Sequence, residues 1–98
     1  MRPTTHAAAA LDQAMLRDAK LDGVVLAGAR LMGADLTGAK LVGADLTEAD
    51  ALHANLRGAD LSGANLAEAN LRQANLYEAK LDGATYRATI MPDGTTEP

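Results

Sequence analysis

A chain of 98 residues without cysteine has room for one small domain with a modest core, and neither disulfides nor a thiolate metal site can hold it together. Its net charge of -4 is mild and its only aromatics are Tyr77 and Tyr86, so it lacks both the basic surface and the stacking platform of a nucleic-acid binder. No run approaches the roughly 20 apolar residues of a membrane span, and residues 7–11 are too short for a signal-peptide core, so the chain reads as soluble and cytoplasmic.

In chain order, residues 1–8 come first, as an N-terminal tail or a capping helix. Thr4 or Thr5 can N-cap a short helix through the alanine run at 7–10, reaching as far as Leu16,. The alternative is a tail that enters the following repeats directly.

From residue 9 to residue 88 the sequence repeats every five residues. Sixteen positions five apart run from Leu11 to Tyr86, and fourteen of them are leucine, with Ala51 and Tyr86 as the exceptions. Two residues before each stands alanine, replaced only once, by Val24. A straight helix would step each leucine by about 140° and make no stripe, and a straight strand would flip every second pair outward. The chain must therefore turn once per repeat. With turns near 90°, four repeats close a square coil, sixteen give about four coils, and stacking at about 4.8 Å makes a rod roughly 20 Å long. The fold class is all-β. Glycine follows the central pair at Gly23, Gly28, Gly33, Gly38 and Gly43, where a tight turn needs positive φ, but Glu48, His53, Glu68, Gln73 and Glu78 fill the same slot later,. Glycine there helps without being obligatory.

The runs ADLTG (34–38), ADLTE (44–48), ANLRG (54–58), ADLSG (59–63) and ANLAE (64–68) resemble the pentapeptide repeat family, whose motif is A(D/N)LXX. The resemblance implies a right-handed quadrilateral β-helix without catalytic machinery or cofactor. It also implies end-to-end association through the C-terminal coil.

Residues 89–98 read as a C-terminal cap and a loose tail. Tyr86 is a larger plug in a leucine slot, Ile90 and Met91 cover the last coil, and Pro92, Asp93 and Gly94 form a turn that stops the ladder,. These three apolar residues are candidates for the cap or for a dimer end.

Placing residues twenty apart in columns gives four outward surfaces. Leu52 falls above or below Met32, beside an alanine in the leucine slot at Ala51 and next to His53; either Ala51 underfills the core or a bulge turns Leu52 inward. With Val25 and Val42 these residues are the candidate partner surface. Lys20, Lys40, Asp60 and Lys80 share a column and read as a salt-bridge ladder. Asp35, Asp45, Glu48, Glu68 and Glu78 read as solubilising charges. His53 and Asp50 make only half a metal site. Ser62 and His6 complete a sparse set of groups with no pocket to tune them. The sequence therefore points to a non-enzymatic scaffold or protein-binding module that meets another protein or a second copy of itself. The alternative is a mimic of the DNA duplex that engages DNA gyrase or a related topoisomerase. Against mimicry stand the rod's length, about six base-pair steps of 3.4 Å, and the basic residues that interrupt its negative surface.

Overall fold

A computed structural model describes residues 9–98. They form a four-sided parallel β-helix with a nearly square cross-section, 24 × 23 Å. Coil 1 spans residues 9–28, coil 2 residues 29–48, coil 3 residues 49–68 and coil 4 residues 69–88. Parallel bridges join each repeat to the one twenty residues on, from Ala10 with Arg30 to Asn70 with Ile90. Ala9 and Ala10 thus enter the first coil directly, and no helix runs from them to Leu16. The proposed Thr4 or Thr5 cap lies outside the described residues.

Repeat 34–38 shows why five residues suffice. Asp35 N–H donates upward to the Ala14 carbonyl and Leu36 N–H downward to the Asn55 carbonyl, at 2.9 and 2.7 Å. Gly38 N–H also bonds downward, to Arg57. Ala34 N–H closes the preceding turn onto the Leu31 carbonyl at 3.0 Å. Thr37 N–H, which faces out of the coil, donates to the Asp35 side chain at 3.1 Å. All five backbone donors of the repeat are therefore used, which a chain with half its surface buried requires.

The central leucines and the alanines before them line the interior. Leu26, Leu31, Leu36, Leu41, Leu61, Leu66 and Leu71 are fully buried. Alanine is needed two residues earlier because that position also points inward at each corner, where Ala29, Ala39, Ala59 and Ala64 have no exposure left for a larger side chain,. Ala51 sits in the leucine column with 4% exposure. Its N–H bonds Asn70 and the His53 N–H bonds Arg72 in the ordinary pattern, so there is no bulge and Leu52 stays on the outer side, half-buried. An apolar space of about 10 Å³ runs within the core of coils 2 to 4, with Ala51 among the leucines and alanines that line it.

Every corner from residue 13 to residue 88 has positive φ at the third turn position, near 70° for glycine and near 60° for Glu48, His53 and Gln73. Positive φ there alone selects type II turns. A side chain in this conformation is strained by about 1 kcal/mol or more. At Gly43 an added Cβ would meet nothing within 4 Å, so only the backbone penalty is at stake. Gly43→Ala is expected to lower stability by about 1 kcal/mol and Glu48→Gly to raise it by about 0.5 kcal/mol, part of the gain being lost to glycine's freer unfolded chain. Paired thermal melts of the two variants check this.

The helix ends in a reversal. β1 (Thr89–Ile90) continues the stack below Asn70 and then pairs antiparallel with β2 (Thr96–Glu97). Gly94 N–H bonds the Met91 carbonyl and Met91 N–H the Thr95 carbonyl, so Pro92, Asp93 and Gly94 form the expected turn. In the tail Thr96 and Glu97 occupy the edge a further rung would take. Thr89 stands in an alanine slot, fully buried, and its hydroxyl donates to the Leu66 carbonyl at 2.6 Å.

Candidate interaction surfaces

The four faces are named here by their central columns: first (Leu11, Leu31, Ala51, Leu71), second (Leu16, Leu36, Leu56, Leu76), third (Leu21, Leu41, Leu61, Leu81) and fourth (Leu26, Leu46, Leu66, Tyr86). The residues expected to make one partner surface are divided among three of them. Met32, Leu52 and His53 lie on the first face and its corner, Val42 on the third and Val25 on the fourth. Met32 and Val42 are 40% and 41% exposed, whereas Val25 and Leu52 are half-buried. They do not share one face. The most exposed apolar side chains, Met15 and Tyr77, both lie on the second face, where the Arg57 guanidinium stacks over the Tyr77 ring at 5.2 Å,.

The charged side chains do not gather either. Each face mixes signs, and two exposed ion pairs, Arg30 with Asp12 and Arg87 with Glu68, add at most about 1 kcal/mol each,. The third-face column does not form the expected ladder of ion pairs among the described residues; the Asp60 carboxylate instead accepts from the Ser62 hydroxyl at 2.6 Å and its N–H at 3.1 Å. Asp50 is likewise committed, to the Leu52 N–H and the Asn70 side chain. His53 is exposed, and no group of three metal-ligating side chains occurs among the described residues. No helix among them is long and apolar enough to cross a membrane.

Sequence reasoning missed the role of the Asp and Asn side chains, although the motif itself carried the signal. They are turn caps first and surface charges second. In eight repeats, seven centred on leucine and one on Ala51, the Asp or Asn before the central residue accepts the N–H two residues on, as Asp45, Asn55 and Asn75 do for Thr47, Arg57 and Tyr77,. The Thr37 hydroxyl and then its N–H hold the Asp35 carboxyl below the usual carboxylate range. Ser62 does the same for Asp60, with the Lys80 and Lys40 charges adding to it, and Thr95 for Asp93. A depressed folded pKa means that the unfolded chain binds these protons more readily. Their stabilisation is therefore complete above the unfolded carboxylate pKa of about 3.9 and lost as the pH falls through the lower folded values. The melting temperature is expected to fall steeply below about pH 4, and less steeply in Asp35→Asn/Asp60→Asn, whose amides cap without titrating.

At the C-terminal end Leu76, Leu81, Tyr86 and Met91 are half-buried against the core. Burial, and then the Glu97 charge, push the Tyr86 hydroxyl pKa up. Of the three residues expected at this end, Tyr86 and Met91 pack on the last coil, while the Ile90 backbone is taken up between Asn70 and Thr96. β2 covers the first-face edge only. The Leu76, Leu81 and Tyr86 N–H groups have no next coil to bond among the described residues, unlike Leu71, whose N–H reaches the Ile90 carbonyl.

The family model for pentapeptide repeats matches residues 9–51 and 52–85 in eight copies. The chain belongs to the pentapeptide repeat family. Its coils are thus the right-handed quadrilateral β-helix of that family. Among solved structures it is similar to the pentapeptide repeat protein Rfr23 from the cyanobacterium Cyanothece 51142, with 37% identity, a TM-score of 0.83, and 84% of this chain and 56% of that one covered. A pentapeptide repeat protein from the Arabidopsis thaliana thylakoid lumen gives 34% identity and a TM-score of 0.83, covering 87% of this chain and 59% of that one. The protein alr5209 from Nostoc Pcc 7120 gives 43% identity and a TM-score of 0.77, covering 79% and 64%. The chain therefore spans less than two thirds of the length of these relatives. No curated protein matches it.

Proposed function

We propose that this pentapeptide repeat protein is a non-enzymatic, cytoplasmic scaffold that works by protein contact, and that one such contact is with a second copy, end to end through the last coil. The carrying observation is the edge at Leu76, Leu81 and Tyr86, where backbone donors lacking a next rung lie beside half-buried apolar side chains. That combination suits completion by another chain, and two copies meeting at the same edge form a closed pair about a two-fold axis. Basic residues stand on every face, including Arg87 on the most acidic one beside Asp45, Glu48 and Glu68, which supports protein contact over imitation of DNA.

Light scattering after size exclusion tests the pairing. A dimer mass is expected for the chain, and a monomer mass for Leu81→Lys with unchanged circular dichroism. A strict monomer of the parent at high concentration would overturn the end-to-end contact. Inhibition of gyrase supercoiling by micromolar protein would overturn the preference for a scaffold over a DNA mimic.

A further inference from the structure

In the central leucine repeats of coils 2 to 4, three have a basic residue where the capping Asp or Asn belongs: Arg30, Lys40 and Lys80. None of these side chains can accept the N–H that the turn leaves facing outward. In the first two, the acceptor comes from the coil above. The Asp12 carboxylate accepts the Met32 N–H through Oδ1 at 3.1 Å while its Oδ2 pairs with Arg30 at 2.9 Å. The Asp22 carboxylate accepts the Val42 N–H at 2.9 Å. Each aspartate stands twenty residues before the residue whose N–H it caps, so it needs to reach down only one rung.

We propose that Asp12 and Asp22 are cross-coil clamps that replace the turn caps missing from the second coil. The replacement releases two repeats from self-capping. Both carry a cation before the central leucine and an exposed apolar residue after it: Arg30 with Met32, and Lys40 with Val42. Residues 29–38, ARLMGADLTG, are echoed by residues 39–48, AKLVGADLTE, and the echo places the two released repeats on opposite faces, first and third, at one height. Lys80 provides the contrast. The residue above Asp82 is Ser62, whose hydroxyl is spent on Asp60, and Asp82 N–H makes no bond of this kind among the described residues. The clamps also tie coil 1 to coil 2 through side chains as well as backbone. In a solenoid stabilised by neighbour contacts, such ties govern fraying of an outer coil.

Amide hydrogen exchange, read residue by residue by NMR, tests the clamps. Asp12→Ala is expected to speed exchange at Met32 at least tenfold and leave Val42 unchanged, and Asp22→Ala should do the reverse. Asp12→Asn, which keeps an acceptor oxygen but loses the charge, is expected to preserve protection at Met32. Arg30→Asn added to Asp12→Ala restores a cap within the repeat and is expected to recover that protection. Unchanged exchange at Met32 in Asp12→Ala would overturn the proposal. So would equal loss in Asp12→Asn, which would make the ion pair with Arg30 the operative contact, and so would failure of Arg30→Asn to rescue. Backbone chemical shifts of coils 3 and 4, unchanged in each variant, separate a local effect from unfolding.

Discussion

Replacing Ala51 with leucine is expected to stabilise the protein by about 1–2 kcal/mol and raise its melting temperature by on the order of 5–10 °C. Ala51 is buried in a column whose members one rung away, Leu31 and Leu71, are both leucine. The neighbouring space of about 10 Å³ is lined entirely by leucine and alanine, so it offers water no hydrogen bond and stays dry. The gain stops short of full leucine burial because the surrounding side chains must adjust to admit the added atoms. A thermal melt decides the matter. A lower melting temperature would show that the surrounding leucines have already closed over the site.

Leu61→Ala is expected to cost about 3–4 kcal/mol, within the usual range for a leucine truncated at a site that cannot collapse. Leu61 has no exposed surface, and neighbours on the rungs above and below, Leu41 and Leu81, are fixed by the backbone ladder. The loss is a large share of the roughly 5–15 kcal/mol that holds an ordinary domain folded. Leu81→Ala removes the same atoms from the same column one coil later, where the side chain is only half-buried, and should cost less than half as much. Urea titrations of both variants, with similar slopes and the midpoint of Leu61→Ala much the lower, would confirm that burial along the rod sets the cost. Equal costs would mean that the last coil is covered in solution, as pairing through that end would cause. Repeating the titrations over a hundredfold range of protein concentration separates the two explanations, since only a cost set by pairing depends on concentration.

Ala51 and Leu52 show how far the sequence could be read. Leu46 and Leu56 stand ten residues apart, which already puts Ala51 in the leucine slot, and the backbone bonds of Ala51 and His53 keep that register. The period of five, the inward pair and the turn at each corner all depend on residues within five positions of one another. Such local relations are visible in a linear sequence, which by itself determined the coil and its register.

Only the tertiary structure decided what the outward residues do. Val25, Met32 and Val42 are all apolar residues in outward slots, yet the square section sends them to three faces. Asp35 and Asp60 looked like surface charge until the turn geometry aimed an N–H at each. Asp12 and Asp22 act on residues twenty positions away, a distance that becomes one rung only when the coil closes. β2 fills an edge that exists only once coil 4 is stacked. The physical reason is the same in each case: hydrogen-bond acceptors and exposed faces are shared between coils, and sharing between coils is a property of the stack.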